Sequence, residues 1–188
     1  MPLSEVSNAI LYYLGPASQG GASTIPNLGT VYQSLPKVGN ESDLFTNTYP
    51  GQLIGATIYM FFTAQTEERV ALGGQHSGVK MREYSLGLLI VFKSDLETTE
   101  AGQLAYNTFI DNLTAWIQAD RNAGTGSATT DGIGPYAGTG VVFQWAEGDI
   151  KSAGSDLQFD HYIPRTVDGG VTLFQSVAHI RVWEQLDT

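Results

Sequence analysis

The architecture of this chain turns on one stretch, ERVALGGQHSGVKMREYSLGLLIVF, residues Glu68–Phe92. In its second half, Tyr84, Leu86, Leu88, Ile90 and Phe92 fall at one parity and Ser85, Gly87, Leu89 and Val91 at the other. Side chains of a strand alternate between faces, so this is a strand, and apolar residues at both parities mean that both faces are partly covered. Just upstream, Gly55–Ala64 (GATIYMFFTA) is rich in β-branched and aromatic residues and reads as another strand. The run EERVAL extends it or begins a second one. Between the arms lie Gly73, Gly74, Gln75, His76, Ser77 and Gly78. Glycine reaches the positive φ that a turn between paired strands needs. Glu67–Leu72 and Val79–Phe92 are therefore expected to form a long hairpin.

Working outward, TTEAGQLAYNTFIDNLTAWIQADRN (98–122) carries Tyr106, Phe109, Ile110, Leu113, Trp116 and Ile117 on one helical stripe. Thr98 or Thr99 can cap it, Glu100 suits its positive end and Arg121 its negative end. A shorter helix is expected near the N-terminus, where Leu3, Val6, Ile10, Tyr13 and Leu14 share a face and Gly15-Pro16 stops the pattern. TVYQSLP (30–36) reads as a short strand. Three closing strands follow, GVVFQWAEG, SDLQFDHYIPR and GVTLFQSVAHIRVWEQ, with short turn-rich joints that suit antiparallel neighbours. Flexible loops are expected near residues 15–29, 36–52 and 123–140. The last is built almost wholly of Gly, Ser, Thr and Ala and cannot bury enough apolar area to offset the entropy of ordering. This plan is α+β: a single domain over 1–188, with one antiparallel (mixed) sheet, a long hairpin arm, one long helix and a short N-terminal helix.

Composition narrows the function. The chain has 188 residues, 42% of them hydrophobic, enough for one core. It has no cysteine, which excludes disulfides and thiolate metal sites. Nine Lys+Arg against 19 Asp+Glu give a net charge of −10. A protein that grips nucleic acid neutralises phosphates with cations, and few are present. The N-terminus lacks the basic region and apolar run of a signal peptide, and no stretch of about 18 apolar residues would span a membrane.

No catalytic pattern emerges. The three histidines, His76, His161 and His179, lack the close spacing of zinc ligands. Asp160 and His161 are adjacent in a strand and point to opposite faces, so they do not form one site. His179, in mid-strand, reads as a satisfied structural histidine. GQHSG is not a nucleophile elbow, because no helix follows its serine. GTGSATTDGIG follows a helix instead of a strand, so it is not a dinucleotide cradle. Carboxylates cluster at element ends, where solvated charge ordinarily sits. What remains is interaction: a long arm carrying Arg69, Lys80 and Arg82 and tipped by Gly73–Gly78 is suited to touching another acidic subunit.

The short N-terminal helix, the hairpin RVALGGQHSGVKMREYSLGLLIVF, the helix AYNTFIDNLTAWIQ and the closing strand VAHIRVWEQ together resemble the tail terminator (tail completion) family of long-tailed bacteriophages. The likeness covers about 3–121 and 140–184. It implies a non-enzymatic virion protein of the neck, with no catalytic residues, cofactor or metal. Such a subunit assembles into a homohexameric ring that caps the finished tail tube and meets the head connector. The implied partners are copies of itself, the tail tube protein and head connector or neck proteins. DNA passes through the lumen without sequence-specific binding, no membrane is involved, and assembly takes place in the host cytoplasm. Candidate contact residues are Arg69, Gly73, Gly74, Gln75, His76, Ser77, Gly78, Lys80 and Arg82. Two other readings stand beside it: another neck, head-to-tail joining or tail tube protein, and a small acidic enzyme or carbohydrate-binding module.

Overall fold

The computed structural model describes residues 3–35, 54–69, 79–96, 98–119, 143–145, 157–167 and 171–187. In chain order these form α1 (Leu3–Leu14), a 3-10 turn (Ala17–Gln19), β1 (Leu28–Tyr32), β2 (Ile54–Arg69), β3 (Val79–Ser94), α2 (Thr99–Ala119), β4 (Phe143–Trp145), β5 (Leu157–His161), β6 (Arg165–Val167) and β7 (Val171–Asp187). The fold is α+β: one mixed sheet with a long helix and a short N-terminal one. The expected loops at 36–52 and 123–140 and the hairpin tip lie outside the described residues, while β1 begins at Leu28, inside the loop expected over 15–29.

The sheet runs β1-β2-β3-β7, and β4, β5 and β6 all pair with the remaining edge of β7. Among the described strands, β1 and β2 pair in parallel and the other pairs are antiparallel. The two upstream segments of the sequence form one strand: β2 is continuous and pairs with β3 from Ile54↔Ser94 to Arg69↔Lys80. Its single irregularity falls between Phe62 and Ala64, where Thr63 is the extra residue and donates from its hydroxyl to Ser85 O at 3.3 Å. An inserted residue breaks the alternation and bends the strand. Beyond it, Thr63–Glu67 are exposed in succession.

The expected arms, Glu67–Leu72 and Val79–Phe92, fall in the antiparallel pair β2 and β3 as far as Arg69. One sequence expectation is extended and another corrected. β7 runs beside β3 for its whole length, from Val79↔Asp187 to Ser94↔Thr172, so the arm is a three-stranded blade, with β4 added across Val182–Glu184. The closing strands are not successive antiparallel neighbours of one another. β4, β5 and β6 lie end to end along β7, opposite Val182–Glu184, Ser176–Ile180 and Val171–Leu173. β7, at 17 residues, is long enough to take short partners in series. The expected strand 155–165 breaks at Tyr162–Pro164, where proline has no N–H to give the ladder.

Both helices pack on the face formed by Ala56, Ile58 and Met60 of β2, alternate residues Tyr84–Phe92 of β3, and Phe174, Ala178, Ile180 and Val182 of β7. Against it α1 sets Val6, Ala9, Ile10, Tyr13 and Leu14, and α2 sets Tyr106, Phe109, Ile110, Leu113 and Ile117, all buried. Phe92 is the hub, with ring centroids 5.8 Å from Tyr106, 5.6 Å from Phe109 and 6.3 Å from Phe174. The other parity is buried in part as well, at Thr57, Tyr59, Val91 and Leu173, as the doubly apolar pattern of β3 implied.

The helix ends are fastened by side chains. Thr98 caps α2, its hydroxyl accepting from Ala101 N–H at 3.2 Å. Tyr13 and Trp116 exchange bonds between the two helices. The Tyr13 hydroxyl donates to Trp116 O at 2.8 Å, and the indole N–H donates to Tyr13 O at 3.2 Å. Carbonyls near a helix C-terminus lack intrahelical partners, so this exchange satisfies them and fixes the two helices to each other.

Candidate functional site

The blade is the first candidate. Its last buried row is Tyr84 and Val182, opposite Gln65. Strands continue past that row from Glu83 to Val79, roughly 15 Å at the rise of a strand. Arg69 and Lys80 face each other across β2 and β3 near its end. Arg82 is committed within the blade: its guanidinium reaches Glu67 Oε2 at 2.9 and 3.3 Å and the Tyr84 hydroxyl at 3.3 Å. A half-exposed pair of this kind contributes less than about 1 kcal/mol, so it orients the side chain more than it stabilises the fold. Gly73, Gly74, Gln75, His76, Ser77 and Gly78 lie outside the described residues.

The second candidate is a polar cluster that sequence reading missed. Tyr106 of α2, Ser176 of β7 and His161 of β5 meet on the helix-covered face. His161 Nδ1 lies 2.7 Å from Ser176 Oγ and 3.0 Å from the Tyr106 hydroxyl, and the two hydroxyls hydrogen-bond each other. Residues 15, 55 and 70 positions apart give no motif. The one available signal was parity, since Ser176 alternates with Phe174 and Ala178 and so belongs to the helix face. Ser176 has no exposed surface. His161 is exposed, so the cluster runs from the core to the surface, and it ties α2 to the edge of the sheet.

On the opposite face the Asp160 carboxylate accepts from His179 Nε2 at 3.0 Å. Asp160 and His161 therefore serve different faces, as adjacency in a strand requires. His179 has the polar partner expected of it, but on an exposed surface instead of in the core. In the same register row as His179, Phe61 lies across Gly87 in the neighbouring strand, its ring occupying the space a Cβ would take.

Burial raises the Tyr106 hydroxyl above the usual tyrosine range, and its bond to Ser176 opposes this in part. A phenol whose folded pKa is raised prefers its neutral form in the fold. The stabilisation is present below the ordinary value of about 10 and is lost as pH rises through the raised folded value. Tyr106→Phe is expected to cost about 1 kcal/mol at neutral pH. Its deficit against the parent should shrink above about pH 10. Thermal melts of both proteins from neutral to alkaline pH test this; a deficit that is constant with pH would show that Tyr106 ionises freely in the fold.

A groove of about 250 Å³ lies between α1 and the 3-10 turn, lined by Asn8, Leu11, Tyr12, Gln19, Gly20 and Gly21. Among the described residues no group of three or more His, Asp or Glu is placed to hold a metal, and no helix is long and apolar enough to cross a membrane. Comparison with family models and with curated proteins returns no match.

Proposed function

We propose that the chain is a structural subunit of a bacteriophage virion, a tail terminator that forms a ring capping the tail tube and meeting the head connector. The observation that carries the reading is the blade. Three strands continue side by side beyond the Thr63 bulge, where Thr63–Glu67 of β2 are exposed in succession and Met81 of β3 is exposed. A strand pair extended alone is marginal in water, and the third strand makes this projection stiff enough to serve as a contact arm. Two ion pairs within it, Arg82–Glu67 and Arg181–Glu83, give its surface both signs of charge, the kind of pattern that orients one subunit against another. The net charge of −10 accords with a channel wall that DNA passes without adhering.

Native mass spectrometry with negative-stain imaging of the purified protein tests this. Closed rings of six copies are the expected result. Tubes of indefinite length would assign the chain to the tail tube instead, and a monomer at all concentrations would overturn the ring.

A further inference from the structure

Among the described residues, β1 is the outermost strand on its side of the sheet. Such strands present backbone N–H and C=O groups that template the addition of another chain, and proteins that avoid this must cover them. At Val31 one side chain covers both. Gln19 Oε1 accepts from Val31 N–H at 2.8 Å, and Gln19 Nε2 donates to Val31 O at 3.3 Å. In an antiparallel ladder, two residues of a hydrogen-bonded pair exchange both of these bonds. The primary amide of Gln19 thus supplies what the peptide groups of an added strand would supply.

Gln19 is held in place by a compact strap. Gly20 has a left-handed φ of 75° and donates to Ala17 O at 3.0 Å. Gly21 N donates to Pro16 O at 3.1 Å, Ala22 N to Tyr12 O at 2.8 Å, and Ser23 N to Gly15 O at 2.9 Å. Just past the end of β1, Gln33 donates to Asn8 Oδ1 at 2.6 Å and ties the strand to α1.

We propose that Gln19 is an edge guard, a built-in strand mimic that closes β1 to addition of a second copy of this chain. It stops the sheet from propagating between subunits on this side, whether or not the subunit belongs to a tail.

Gln19→Ala frees both groups of Val31. In dilute solution the Val31 amide should exchange faster than in the parent by about tenfold, the scale that one hydrogen bond sets. As concentration rises, species larger than the parent's should form, and Val31 should regain protection within them. Gln19→Glu keeps the acceptor for Val31 N–H and adds an edge charge, so it should retain the parent's assembly state. If circular dichroism shows that Gln19→Ala loses its fold, Gln19→Met, which keeps side-chain length without the amide, takes its place. Two results overturn the proposal: an assembly state unchanged at every concentration, or association in which Val31 stays as exchangeable as in the dilute variant.

Discussion

Phe92→Ala is expected to cost about 3–5 kcal/mol of folding stability. In a chain of this length that lowers the melting temperature by about 10 °C. Phe92 has no exposed surface and packs against rings from α2 and β7 at once. Truncation removes the transfer free energy of the ring and leaves a cavity. Tyr106 and Phe174, stacked with centroids 5.0 Å apart, are held by partners of their own and cannot fully collapse into it. Leu104→Ala on α2 is the control, because Leu104 is 69% exposed and its loss should change stability by less than about 0.5 kcal/mol. Urea denaturation of the three proteins decides the matter. If Phe92→Ala melts with the control, the two helices are not held to the sheet through this cluster.

Gly21→Ala is expected to cost about 3 kcal/mol, the upper part of the range for overpacking. A Cβ at Gly21 would fall on the backbone of Gly15, against its Cα, C and O, well inside van der Waals contact. Backbone cannot rotate away as a side-chain end can, so the strap or the end of α1 must move. The neighbouring Gly20 separates the two kinds of glycine requirement. A Cβ there would meet open space, but φ is 75°, which L side chains rarely adopt. Gly20→Ala should therefore cost only about 1 kcal/mol, through backbone strain alone. Denaturant midpoints for the pair give the ranking. Equal losses would mean that the contact with Gly15 relaxes at little cost.

The elements legible in the sequence were those whose signal lies within one segment. The stripe from Tyr106 to Ile117 marked α2, and its members are buried except for the half-exposed Trp116. The alternation from Tyr84 to Phe92 marked β3 and both of its covered faces. Those two patterns, with the apolar face of α1, were enough for the α+β class. Their periods, 3.6 and 2, are properties of local backbone geometry, so no distant residue is needed to read them.

Pairing was a different matter. Nothing in LGTVY states that it lies parallel to β2, because residues 33–53 separate the two strands and pairing depends on what else competes for the edge. FQW and LQFDH read as parts of ordinary successive strands, and Thr166 and Val167 of RTV as part of a turn-rich joint; only the length of β7 sets the three end to end on one side of it. Tyr106, His161 and Ser176 carry no shared spacing, and they meet because α2 crosses the sheet where β5 joins β7. Gln19 is an ordinary loop residue until the strap folds its amide onto Val31. By itself the sequence determined which segments are helix or strand, which face of each is apolar, and that the chain is strongly acidic. The tertiary structure alone decided strand order, the three-stranded form of the blade and every polar contact between elements, since hydrogen bonds and packing between distant segments depend on geometry that local propensity does not encode.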